Sequence, residues 1–132
     1  METSSTHWVL VADEAGMASI FPELKDKCFD KTVTFITLVY YAEHNKYSFR
    51  QEIDILKQHY PGKFIAFYEV GLITADFEFD SQILETIINV NTCPKIRFLV
   101  SGCEEFSLVI EETLHFLGIN EITFREQFFK NN

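Results

Sequence analysis

Glycine is scarce in this chain, with 5 among 132 residues, and only Gly16 falls in the turn after the first apolar run, where the chain reads Asp13-Glu14-Ala15-Gly16. The spaced glycines of a G-x-G-x-x-G loop, which let a pyrophosphate approach backbone amides, are missing. Positive charge is also thin: 11 Lys+Arg stand against 20 Asp+Glu, for a net charge of −9. Such a surface repels phosphates, so neither nucleic acid nor an anionic membrane is an expected partner. No apolar run approaches the roughly 20 residues needed to span a bilayer. Cys28, Cys93 and Cys103 are too few and too far apart for a disulfide framework or a zinc site. A reducing, cytoplasmic setting is the expectation. His7, His44, His59 and His115 are scattered, with no metal-ligand spacing and no Ser–His–acid set.

What is present is a core. Hydrophobic residues make up 47% of the chain, 14 of them Phe and 5 Tyr, which excludes a disordered chain. The length suits one domain, and no repeat, linker or low-complexity segment interrupts it. Residues 1–6 are expected to be a disordered tail and 7–132 the folded domain. Short apolar runs at His7–Ala12, Val33–Tyr40, Lys63–Val70, Ile96–Val100 and Glu121–Phe124 predict five strands. Between them lie helical stripes. Met17, Ile20, Phe21 and Leu24 mark a helix over about 16–26, closed by Lys25-Asp26-Lys27. Ser48 and Gln51 have capping-box spacing ahead of Phe49, Ile53 and Leu56, and Pro61-Gly62 ends that helix. Asp80-Ser81 offers an N-cap for a third helix. Phe106, Val109, Ile110, Leu114 and Leu117 stripe a fourth, with Gly118 at its C′ position.

Strands alternating with helices define an α/β fold with a parallel sheet covered on both faces. With strand order 3-2-1-4-5, a ligand site belongs beyond the carboxyl ends of the strands, where the order reverses between strands 1 and 4. The residues at that edge are 12–16, 41–46, 71–79 and 101–105.

Four segments at that edge and at the chain end, taken in order, resemble a known family. They are Leu10-Val11-Ala12-Asp13-Glu14-Ala15-Gly16-Met17-Ala18-Ser19, Tyr47-Ser48-Phe49-Arg50-Gln51-Glu52-Ile53 with Tyr60-Pro61, Val100-Ser101-Gly102-Cys103-Glu104-Glu105-Phe106, and Ile122-Thr123-Phe124-Arg125-Glu126-Gln127-Phe128. The set resembles the C-terminal pyridine-nucleotide domain of the ferredoxin reductase-like flavoproteins. The first segment stands where that family has Gly-Gly-Thr-Gly-Ile-Thr-Pro, and Ala12-Asp13-Glu14 matches the Ala-Asp-Glu of its siderophore-interacting branch. The second is similar to a helix reading Phe-x-x-Glu-Leu before a Pro. The third resembles a Cys-Gly-Pro-x-x-Met turn with only Gly102 kept, and the fourth a terminal Glu-x-Phe.

The resemblance implies a five-stranded parallel Rossmann-type sheet that binds NADH or NADPH and presents nicotinamide to FAD or FMN on a separate domain or subunit. The flavin-binding barrel of the family is not expected within this chain, whose first strand is read from about residue 7. By resemblance the cofactor would lie over Asp13, Glu14, Ala15 and Gly16, with Gly102 and Cys103 beside the nicotinamide. Ser101 and Glu126 would occupy catalytic positions, and Phe128 would face the flavin. Glu43 and His44 sit where the adenosine ribose is read, and an acid there favours NADH. The expected partner is a flavin-binding domain or subunit. Phe128 and Phe129, if exposed, would make an interface, and a homodimer is a further expectation.

The same residues have plainer roles. Asp13 and Glu14 would cap helix 1 and complement its dipole, each contributing roughly 0.3–1 kcal/mol, and would then repel pyrophosphate. Cys103, at a helix start where a thiol pKa can fall, would be an inert half-buried cysteine. The Glu43-His44 pair would be a solvated loop. A domain that has kept the fold, lost the nucleotide and become an interaction module is thus the competing expectation. A receiver-type domain is disfavoured because Gly71, not Asp, follows strand 3.

Overall fold

The computed structural model describes residues 5–70 and 82–125. Its elements are β1 (Thr6–Asp13), α1 (Glu14–Phe29), β2 (Val33–Ala42), α2 (Arg50–His59), β3 (Phe64–Val70), α3 (Gln82–Val90), β4 (Lys95–Ser101), α4 (Glu104–Phe116) and β5 (Ile122–Phe124). The strands form one sheet in the order β3-β2-β1-β4-β5. Every neighbouring pair is parallel. This is the expected α/β architecture. No described helix is long and apolar enough to cross a membrane.

Period-two alternation in the central strands sorts the core into two layers. Leu10, Ile36, Leu38, Tyr40 and Leu99 face α1 and α2, where Met17, Ile20, Leu24 and Ile53 meet them. Val9, Val11, Val39, Phe98 and Val100 face α3 and α4, against Leu84, Ile87, Phe106, Ile110 and Leu114. Because both faces are covered, β1 and β2 read as nearly unbroken apolar runs.

Three boundaries differ from the sequence reading. Helix α1 starts at Glu14 and continues to Phe29, beyond the Lys25-Asp26-Lys27 run and despite Pro22 in its interior. The added turn buries Cys28 in step with Met17, Ile20 and Leu24. Lys27 is not solvated: its ammonium lies 4.2 Å from the Trp8 ring centroid and 3.2 Å from Glu23. Helix α2 starts at Arg50, with Phe49 as N-cap and no side-chain cap, so the Ser48–Gln51 capping box does not form. β1 includes Thr6, and the Ser5 carbonyl accepts Lys95 N–H at 3.3 Å, so the last residues of the expected tail are built into the sheet end. Residues 1–4, the Gly71–Phe79 loop and the Asp80-Ser81 cap lie outside the described residues.

Helix α4 ends as anticipated. Gly118 has φ +91°, its N–H donates to His115 O at 3.0 Å, and Ile119 N–H donates to Leu114 O at 2.8 Å. This is a Schellman closure, whose left-handed residue favours glycine.

His7 is buried at the opposite, amino end of β1. Its Nδ1 lies 3.0 Å from Asn91 Oδ1 and its Nε2 lies 2.8 Å from Thr37 Oγ1. Asn91 Oδ1 also accepts Cys93 N–H, so Nδ1 carries the proton and Nε2 accepts the Thr37 hydroxyl. Burial holds the imidazole below its ordinary pKa of 6.5. The unfolded chain therefore takes up the proton first. His7 supports the fold fully above pH 6.5, and that support falls as pH drops through 6.5 toward the lower folded value. Thermal melts between pH 7.5 and 5.5 should show Tm falling with acid, and a His7→Gln variant should flatten that slope; an equal slope in the variant would remove His7 as its source.

Candidate functional site

Strands β1 and β4 are neighbours that leave the sheet in opposite directions along the strand order, and Ala12 pairs with Ser101 at their carboxyl ends. The turns that follow must separate, and they open a crevice of about 340 Å³. Asp13, Glu14 and Ala15 form one wall, Glu43, His44 and Lys46 the rim after β2, and Tyr41, Ala42, Cys103 and Phe106 the floor. The Tyr41 and Phe106 rings meet edge-on, with centroids 5.5 Å apart. The volume is near the lower end for ligand pockets, which run from roughly 300 to 1,000 Å³.

Of the residues expected at the site, Asp13, Glu14, Ala15, Glu43, His44 and Cys103 line this crevice together. Gly16, Ser101 and Gly102 do not. Gly16 is buried under the crossing of α1 over the end of β4. Ser101 is fully buried, and its hydroxyl has no hydrogen-bond partner among the described residues. The space over Gly102 is filled: a Cβ there would lie 2.4 Å from the Phe106 ring and 2.8 Å from Asp13 Oδ1. Glu126, Phe128 and Phe129 lie outside the described residues. Lys46 and Phe106 were not singled out from sequence. Lys46 sat within the named edge, and Phe106 closed the third family-like segment and belonged to a helix stripe, which it also satisfies at 1% exposure.

The acidic pair after β1 is engaged on every side. Asp13 is the N-cap of α1, and its Oδ1 accepts Gly16 N–H at 2.9 Å. Its Oδ2 accepts Cys103 N–H, the start of α4, at 3.1 Å. Glu14 Oε2 accepts Ser48 N–H at 2.9 Å, just before α2, and its Oε1 accepts the Tyr40 hydroxyl at 2.6 Å. Two adjacent carboxylates thus hold the starts of α1, α2 and α4. These are the free N–H groups and positive dipole ends that a phosphate would use. Burial, with Asp13 and Glu105 adding negative charge, pushes the Cys103 thiol above its ordinary value, so it is not an activated thiolate.

No protein-family model matches this sequence, and no curated protein matches it. Solved structures do share its fold. One is that of the CS-b5R domains of human Ncb5or in the NAD+ form, with 13% identity and a TM-score of 0.76 over 89% of this chain and 36% of that one. Another is flavohemoglobin from Malassezia yamatoensis with bound FAD and heme, with 12% identity and a TM-score of 0.70 over 96% of this chain and 32% of that one. This chain spans about a third of the length of either. The likeness is one of fold: the five-stranded parallel α/β sheet that the four sequence segments implied.

Proposed function

We propose that this chain is the pyridine-nucleotide domain of a flavin-dependent reductase. The reading rests on one observation: in a fold shared with an NAD+-form reductase structure, six of the residues expected to touch the cofactor converge on a single crevice at the sheet's switch point. Its size and aromatic floor suit the nucleoside end of the cofactor, and Glu43 at the rim suits ribose hydroxyls, which favours NADH over NADPH. When bound, the cofactor supplies a hydride to FAD or FMN held by a separate flavin-binding domain or subunit. This chain's part is to seat the nucleoside and to orient the nicotinamide end past Cys103. Glu126 and Phe128 are the proposed residues toward the flavin. Ser101, placed at a catalytic position by resemblance, is fully buried and does not line the crevice. The unpaired cysteines fit a reducing, cytoplasmic setting. The pyrophosphate does not fit in the same way, because the amides that would receive it already bond to Asp13 and Glu14.

Calorimetric titration of the full chain with NADH and NADPH is the test. Heat with NADH, and weaker heat with NADPH, is expected; no heat with either at millimolar concentration overturns the proposal. The closed helix starts favour a second reading, in which the fold persists as an interaction module, alone or as a homodimer. Size-exclusion chromatography with light scattering tests it, since a strict monomer that binds NADH tightly contradicts it.

A further inference from the structure

We infer that Asp13 is a built-in anion that occupies the position a ligand phosphate would take and thereby selects the crevice's ligands against phosphates at that point. The inference deepens the nucleotide reading of the crevice and rests on it. The Asp13 carboxylate sits between two helix starts, with one oxygen on Gly16 N–H and the other on Cys103 N–H, at 2.9 and 3.1 Å. Bidentate capture of two backbone donors on separate helices is how a bound oxyanion is held. Here the anion is covalently tethered, so its local concentration greatly exceeds that of any free ligand.

The surroundings are shaped to this carboxylate. The carboxylate lies over Gly102, where a Cβ would lie 2.8 Å from Asp13 Oδ1 and 2.9 Å from Asp13 Cγ. Glu14, immediately adjacent, places a second negative charge at the α2 start. Among the described residues lining the crevice the only lysine is Lys46, across the rim after β2. A ligand phosphate at the α1–α4 junction would thus displace a carboxylate from two charge-assisted hydrogen bonds and then sit beside two carboxylates. An uncharged nucleoside moiety on the Tyr41–Phe106 floor meets no such penalty.

The test compares wild type with Asp13→Asn and Asp13→Ser, which keep a helix-capping oxygen but remove the charge. Inorganic pyrophosphate, NADH and adenosine are titrated into each by calorimetry, after thermal melts establish that the variants fold. Pyrophosphate and NADH should bind the variants about tenfold or more tighter than wild type, and adenosine should gain less than either. Folded variants with no gain for pyrophosphate overturn the inference. A pyrophosphate gain in variants that still take no NADH sustains it and removes the nucleotide reading. Wild-type protein that takes NADH, with variants that bind pyrophosphate and NADH no tighter, does the reverse. Should neither variant fold, amide spectra of wild type decide: the Gly16 and Cys103 N–H signals should not move with pyrophosphate at up to about 10 mM, and a shift of both overturns the inference.

Discussion

A single methyl group at position 16 is expected to unfold the protein or to lower its Tm by on the order of 10 °C or more. In Gly16→Ala the new Cβ would lie 1.9 Å from the Ser101 carbonyl oxygen, 2.3 Å from its carbon and 2.8 Å from Gly102 N. All three are backbone atoms of the central strand β4 and its turn, so no side chain can swing aside. Relief requires α1 to lift from the sheet. That movement would open the layer in which Met17, Ile20 and Leu24 are fully buried, and would pull Gly16 N–H from the Asp13 carboxylate. Overpacking usually costs about 1–3 kcal/mol, and a clash of helix against strand backbone belongs at or above the top of that range. Urea denaturation followed by circular dichroism measures it. By contrast Gly62→Ala, with φ +82° and nothing within 4 Å, is strained only in its backbone and should cost about 1 kcal/mol. If Gly16→Ala proved no worse than Gly62→Ala, the helix–strand contact would not be as tight as these distances state.

The sheet order was legible because it follows from local pattern. Continuous apolar runs mark the two-sided central strands, and helical stripes between them require right-handed crossovers. Gly118 was legible for the same reason, since the need for a left-handed residue after α4 is local. What sequence missed was decided at long range. Lys25-Asp26-Lys27 has the composition of a helix end, yet Trp8 from β1 shelters Lys27 and the helix runs on to Phe29. Ser48 has the spacing of a capping box, yet the carboxylate of Glu14, thirty-four positions earlier, takes its N–H. The candidate site shows the same division. The loops at the carboxyl edge were named from topology, and six of the expected residues do meet there. No spacing rule could show that one Asp would bind amides 3 and 90 positions away.

The bond between Glu14 and Tyr40 carries the second large effect. Tyr40 is fully buried on β2, and its hydroxyl donates to Glu14 Oε1 at 2.6 Å while accepting Phe49 N–H at 3.3 Å. Burial, and then the hydrogen bond to Glu14, drives the phenol well above its ordinary pKa, so it is a donor at neutral pH. Glu14→Ala removes the acceptor from a buried hydroxyl and from Ser48 N–H together. A bond to a charged group contributes about 1.5–3 kcal/mol, and an orphaned buried donor costs about 1–3 kcal/mol. A loss of about 2–4 kcal/mol is expected, beyond what trimming a solvated glutamate at a helix start would cost. Tyr40→Phe should cost less, about 1–2 kcal/mol, because Glu14 keeps its bond to Ser48 N–H. The double variant decides the matter. Once the hydroxyl is gone, deleting Glu14 orphans no buried hydroxyl, so the two losses should fall short of additivity by about 1 kcal/mol or more. Additivity within about 0.5 kcal/mol would mean that Glu14 serves α2 through Ser48 alone and that Tyr40 stands independent of it. Coupling would place Glu14 firmly inside the fold, as the strut joining α1, β2 and the start of α2 beneath the crevice wall.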